Sequence, residues 1–261
     1  MVLTAFPVGF LAGLFGIGGG LITVPFLFFI FDSLNINQEY LMHLAVGTSF
    51  SIIVPTSIIS VLTHNKNGSV DFGVIKNYAI FVIIGVLSGT IFAAILHTKS
   101  LLLFFTTIVY LCGAYLLNIK DKTDNLKVNF NLIPRIILGF VSGFISSTMG
   151  IGGAIMNVPI LKYFGYPINK AISSAAAIGS VISLFGALCF LITGSFLKAD
   201  LPLSVGFINI PAFLIFIPIT MFMARIGANT VHKLDKSKLQ RFFGIFLYVV
   251  GTIFLYRYLN I

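Results

Sequence analysis

The chain has 261 residues, 58% of them hydrophobic and only 9% charged. Soluble domains carry roughly 25% charged residues, so this composition cannot clothe a water-facing surface. The formal charge of +9 comes from 16 Lys and Arg against 7 Asp and Glu, and because the basic residues fall in short stretches between apolar runs, it reads as retention at one membrane face rather than as a nucleic-acid surface.

Apolar runs of about 20 residues, each long enough to cross a ~30 Å hydrocarbon core, recur along the chain. They lie near 2–31, 40–63, 74–97, 100–118, 132–165, 169–193, 203–224 and 239–259. Backbone exposed to lipid must bond internally, so the expected fold is an all-α polytopic membrane protein. The first run lacks the basic start of a cleaved signal peptide and reads as a membrane segment. It is interrupted by GIGGGLITVP, Gly16 to Pro25. The most polar stretch, Asn118 to Asn131, follows the fourth run. The fifth run carries GIGGAIMNVP, Gly150 to Pro159, and a basic loop from His232 to Arg241 precedes the last.

The two glycine motifs belong to an internal duplication. Gly16-Ile17-Gly18-Gly19 and Val24-Pro25 match Gly150-Ile151-Gly152-Gly153 and Val158-Pro159 at an offset of 134. Gly9 and Gly13 match Gly139 and Gly143 at 130, so the second copy holds about one extra helical turn around Ser146 to Met149. Ala45, Thr48 and Gly68 match Ala171, Ser174 and Gly194 at 126, and Tyr110 and Gly113 match Tyr248 and Gly251 at 138. The expected organisation is a membrane repeat over 1–118, a linker over 119–131 and a second repeat over 132–261.

If all eight runs crossed, Lys and Arg would divide evenly between the two faces. If the two glycine-broken runs enter and leave on one face, only Lys99, Lys198 and Arg257 oppose the rest. That is a strong positive-inside bias. It predicts inverted repeats of four segments each, with the first segment of each re-entrant and the central loop near residue 125 in the cytoplasm. The N-terminal end carries no Lys or Arg to count, so the tally fixes the fifth run and repeat symmetry supplies the first.

Inverted repeats with broken helices suit secondary transporters. A break leaves unpaired amides, and the following half-helix carries roughly half a positive charge at its N-terminus. Glycine lets a ligand approach the backbone. Together these make an anion site without a cationic side chain. The candidate amides are those of Gly18, Gly19, Gly20, Gly152 and Gly153; Pro25 and Pro159 each remove a donor from the helix that follows. Gly9, Gly13, Gly139 and Gly143 read instead as helix-packing positions. Thr48, Ser49 and Ser174 carry hydroxyls that either donate to an oxyanion or bond their own helices. Asn157, matching Thr23, needs a partner at this depth. No Asp or Glu lies within an apolar run, which argues against a buried proton relay. His43 and His64 read as loop or interface residues. Cys112 and Cys189 read as small buried hydrophobes, with a sulfur relay as the alternative. Nothing points to a metal, a cofactor or an enzyme.

The doubled GxGGG…VP element, the Thr-Ser stretch at Gly47–Ser49 and HNKNGSVD closing the second run together resemble the TauE/SafE sulfite exporter family. The second half departs from the first at Ala154 and at Ser173-Ser174-Ala175. The resemblance implies a carrier, in a bacterial inner membrane, of small sulfur anions such as sulfite, thiosulfate or organosulfonates. A passive anion channel is the alternative. The expected partners are that anion and the lipid bilayer, with no nucleic acid; a homo-oligomer is compatible with the sequence.

Overall fold

The computed structural model describes residues 1–15, 19–66, 70–118, 131–230 and 236–260. Ten helices carry almost all of it: α1 (Val2–Phe15), α2 (Gly20–Ser33), α3 (Leu41–Asn65), α4 (Phe72–Ile95), α5 (Thr98–Asn118), α6 (Leu132–Met149), α7 (Ala154–Tyr163), α8 (Ile168–Phe196), α9 (Ile210–Thr230) and α10 (Lys236–Asn260). The expected all-α membrane fold is therefore present. Among the described residues, six helices are long and apolar enough to cross a bilayer. The first and fifth apolar runs are each split at the glycines, giving α1/α2 and α6/α7.

Small residues let backbones meet and so reveal the direction of each helix. A Cβ added to Gly9 would touch Thr220 of α9, and one on Gly13 would strike the Ala224 backbone, so α1 and α9 run parallel. In the same way Gly139 meets Tyr78 and Phe81 of α4 and Gly143 meets Val82 and Val86, so α6 runs parallel to α4. All four glycines thus act as the packing positions expected of them. Thr48 meets Asn209 and Thr56 meets Thr220, setting α3 parallel to α9. Ser174 meets Asp71 and Cys189 lies beside Thr90, setting α8 parallel to α4. Helices α5 and α10 oppose each other, with Phe105 against Phe254 and Tyr110 against Tyr248.

The consequence is topological. Helices α1 and α3 both run with α9, so the chain must reverse between them, and α2 is the returning limb. Helices α6 and α8 both run with α4, so α7 returns likewise. The reversal is visible directly. Ser142 of α6 bonds Asn157 of α7, while Gly153 lies near Ser146. A continuous helix would hold these pairs far apart. By length α6 is among the six candidate spans, yet the chain turns back at its end.

Exchanging the halves preserves the main helix contacts. The α1–α9 contact becomes α6–α4, α3–α9 becomes α8–α4, α2–α3 becomes α7–α8, and α3–α8 and α5–α10 map onto themselves. Since α3 runs against α4 and α8 runs with α4, equivalent helices point in opposite directions: the repeats are inverted. Of the cations in the described segments, Lys66, Lys76, Arg135, Lys162, Lys170, Arg225, Lys236, Lys238 and Arg241 belong to one end and Lys99, Lys198 and Arg257 to the other. Arg257 pairs with Asp32 where α10 and α2 finish together.

Local chemistry sets the helix starts. Asp71 caps α4 by accepting from the Gly73 and Val74 amides at 3.0 and 3.2 Å. Asn209 does the same for α9 through the Ala212 amide at 3.0 Å. Such caps contribute roughly 0.5–2 kcal/mol. Before α9 the chain makes a short hairpin, Ser204–Val205 paired with Ile208–Asn209, which no sequence signal announced.

Candidate functional site

The two breaks share one backbone design. Gly19 and Gly153 are the N-caps of α2 and α7, at φ 81 and 74, and neither helix start has a side-chain cap. A residue with a Cβ loses about 1–2 kcal/mol in this left-handed region, so glycine is required at both. The carbonyl of Gly19 accepts from the Thr23 amide at 2.8 Å, and that of Gly153 from the Asn157 amide at 2.9 Å. The amides ahead of these, in the first turn, have no partner within their own helix. Pro25 and Pro159 sit inside α2 and α7 at equivalent positions.

The tips of the two hairpins meet. A Cβ on Gly20 would collide with the Gly150 carbonyl and lie 2.8 Å from Ile151 Cα. One on Gly150 would lie 2.8 Å from Val24 and 3.1 Å from Val46. Ser49 Oγ donates to the Gly150 carbonyl at 3.1 Å, joining α3 to the second break. On the other flank, Gly179 of α8 packs on Gly152, and Ile182 on Gly153. The second break is thus wedged between the mid-parts of α3 and α8.

Their side chains differ. At the second break Asn157, fully buried, donates through Nδ2 to the Gly153 carbonyl at 2.8 Å and accepts from Ser142 Oγ at 2.9 Å. This is the partner that Asn157 required. At the first break Thr23 Oγ1 donates to the Gly19 carbonyl at 2.9 Å, and Gly19 otherwise faces Ala12 and Val8.

Thr48 and Ser174 have a different setting from the glycines. Thr48 Oγ1 accepts from the Asn209 amide at 2.9 Å, and Ser174 Oγ accepts from the Asp71 amide at 3.0 Å. Each hydroxyl therefore anchors the cap of the opposite half's helix. Each keeps its hydrogen for donation. Sequence reading weighed only an anion or the residue's own helix as partner, and this long-range bond is a third role. Gly18 lies outside the described residues, as do Gly16, Ile17, Gly68 and the stretch from 119 to 130.

Around this centre the buried polar residues among those described are hydroxyls, Asn157, Asn209 and two imidazoles, with no buried Lys, Arg, Asp or Glu. His43 and His64 are not loop or interface residues. Both are buried in α3, with the His43 ring against Tyr40 and Phe207 and its Nε2 on the Ala93 carbonyl at 2.9 Å. Cys112 is buried and Cys189 half-buried, on separate helices and both free. Among the described residues no group of three or more His, Cys, Asp or Glu comes together. Two hollows lie on the outer faces, away from the breaks: one of about 590 Å³ bordered by Leu117, Tyr248 and Thr252, and one of about 280 Å³ bordered by Phe81, Ile137 and Phe140. Sequence reading missed Ser146, which was counted only among the added residues around 146–149.

The family model described as "Sulfite exporter TauE/SafE" matches residues 1–254. The chain belongs to the TauE/SafE family. It is 35% identical over 244 residues to a probable membrane transporter protein of Haemophilus influenzae, covering 93% of this chain and 92% of that one. A probable membrane transporter protein of Methanocaldococcus jannaschii is 28% identical over 262 residues, with 98% and 94% covered. One from Bacillus subtilis is 23% identical over 279 residues, with 98% and 97% covered. No solved structure matches the chain. A TauE/SafE membrane transporter is thus the frame in which the two breaks are to be understood.

Proposed function

We propose that this protein carries a small oxyanion across the membrane by alternating access, with the anion held where the two re-entrant tips meet. One observation carries the reading: two helix N-termini without side-chain caps converge at a centre whose described residues include no buried cation or carboxylate. Each N-terminus presents roughly half a positive charge and free amides. A singly or doubly charged anion is therefore attracted without a lysine or arginine that would bind it too tightly to release. The amides of Gly18 to Gly20, Gly152 and Gly153 are its primary donors, Asn157 and Ser49 shape the second tip, and the hydroxyl hydrogens of Thr48 and Ser174 complete the set. Pro25 and Pro159 limit the helical bonding behind the tips.

Residues 1–118 and 132–261 form the two repeats, joined by the linker 119–131. Exchanging their conformations is the simplest way for inverted repeats to open first to one side and then to the other. The cation-rich end, which takes in the loop near residue 125, faces the cytoplasm of a bacterial inner membrane. The anion is a sulfur species, sulfite, thiosulfate or an organosulfonate; the family description supports the class, and the site chemistry supports any small oxyanion. No chemical step is performed on the cargo, and neither Cys112 nor Cys189 takes part.

The deciding measurement is saturable uptake of labelled sulfite or thiosulfate into proteoliposomes, with counterflow against the unlabelled anion. Wild-type flux in a Gly19→Leu/Gly153→Leu double variant that elutes as a folded protein would overturn the site. Unitary currents without counterflow would replace the carrier with a channel. Loss of uptake on changing both cysteines to Ala would restore the sulfur relay.

A further inference from the structure

The hydroxyls around the second break have bonding partners, with one exception. Ser142 bonds Asn157, Ser147 bonds the Phe144 carbonyl at 3.0 Å, and Thr148 bonds the same carbonyl at 2.8 Å. Ser146, in the same turn, has no hydrogen-bond partner for Oγ although the residue is only 1% exposed. A buried serine can usually satisfy itself on the carbonyl one turn back, as its neighbours do. Leaving it unbonded costs about 1–3 kcal/mol.

Its position suggests what it waits for. A methyl group built on Gly153 would lie 3.4 Å from Ser146 Oγ and 3.0 Å from Asn157 Nδ2. The hydroxyl and the amide group thus converge on the open side of Gly153, beside the free amides that begin α7. What lies over that space is the Cδ1 end of Ile182, a flexible side chain and not backbone. At the first break the position that matches Ser146 at the glycine-motif offset is Ala12, and the one that matches Ser142 is Val8. Ser60 in α3 is a second buried hydroxyl without a partner, but no glycine-broken helix start is formed by its helix.

Given the oxyanion reading above, we infer that Ser146 Oγ is a direct hydrogen-bond donor to the transported oxyanion, which binds chiefly on the second break once Ile182 swings aside. The difference from the first half is then a functional substitution: where Ala12 faces Gly19, Ser146 brings a hydroxyl to the α7 N-terminus. The inverted frame is symmetric, but the binding site built on it is one-sided.

The test uses the full-length protein in nanodiscs, titrated calorimetrically with sulfite, thiosulfate and methanesulfonate. Ser146→Ala is expected to weaken binding roughly ten- to hundredfold, as for a lost hydrogen bond to a charged group. Ser146→Thr, which keeps the hydroxyl, and Ser60→Ala are expected to stay within about threefold of wild type. Because Ser146 Oγ bonds nothing in the protein, Ser146→Ala should unfold no earlier than wild type without anion; a merely structural serine would lower that midpoint. Wild-type affinity in Ser146→Ala overturns the inference and leaves the oxyanion reading standing. Failure of wild type to bind any of the three anions overturns both.

Discussion

The two glycine breaks have nearly the same backbone and different linings. Gly19 and Gly153 hold the same left-handed conformation at the same point of their helices. Around Gly19 stand Val8, Ala12 and Thr23; around Gly153 stand Ser142, Ser146 and Asn157. The backbone is fixed by requirements only glycine meets, so both copies retain it. The side chains answer to whatever occupies the space, so they are free to diverge. A duplicated frame can thus carry a single specialised site, and the polar copy is where selectivity belongs.

The comparison is broken most severely by filling either cap. Gly153→Leu should abolish transport, because the left-handed φ and the contact with Ile182 both resist a side chain; Gly19→Leu should do the same through Ala12. Equal losses of flux in proteoliposomes would show that the shared backbone is needed in both halves. Full flux in one of them would assign transport to the other break alone.

Next in size is the pair Asn157→Leu and Thr23→Val. The first removes the side-chain bond to the Gly153 carbonyl, leaves Ser142 Oγ only its 3.4 Å contact with the Gly139 carbonyl, and introduces a larger apolar group. It should lower stability in detergent by about 1–3 kcal/mol and strongly reduce anion binding. The second removes one hydroxyl bond and should cost about 1 kcal/mol or less, with binding little changed. Similar binding losses in both would contradict a one-sided site. Thermal unfolding with and without anion separates the two effects.

Smaller effects test the symmetric frame. Asp71→Ala and Asn209→Ala each remove a cap that also touches the opposite half's Ser174 or Thr48. Each should cost roughly 0.5–2 kcal/mol in unfolding free energy, and by similar amounts, since these positions are equivalent. The least effect is expected from Asp32→Asn. Its pair with Arg257 lies at the membrane edge, partly exposed, where such bridges contribute about 0–1 kcal/mol. A change in detergent midpoint larger than that would mean the pair holds α2 against α10 more firmly than its exposure implies.

Much of the fold was legible because its determinants are local or compositional. Apolar length gave the membrane segments, and the paired motifs gave the duplication. The lopsided placement of Lys and Arg gave the reversal at the fifth run. At the first run, which has no cation to count, repeat symmetry supplied the answer, and the parallel course of α1 and α9 agrees with it. The site was less legible because its bonds are long-range. Thr48 reaches Asn209 and Ser174 reaches Asp71, pairings that no spacing within one helix encodes. Ser146 looked like added length because a hydroxyl's unmet bond is invisible until its neighbours are in place. His43 read as a loop or interface residue because it lies near the start of the second apolar run, but the Ala93 carbonyl and two aromatic rings accommodate it inside. The hairpin at Ser204–Asn209 was too short for any alternation to register.

The interleaving of the halves has a consequence for how the chain is made. The surface that receives Gly9 and Gly13 is built by Thr220 and Ala224, nearly the whole length of the protein later. At about 5–20 residues synthesised per second, the first hairpin waits on the order of 10–40 s for that surface. Throughout that interval its glycine stripe lies open to lipid or to whatever insertion factor shelters it. The second hairpin suffers no such delay, since α4 is finished before α6 begins. Ribosome stalling between α8 and α9 should therefore trap an intermediate with its later half-helix pair seated and its earlier one still searching.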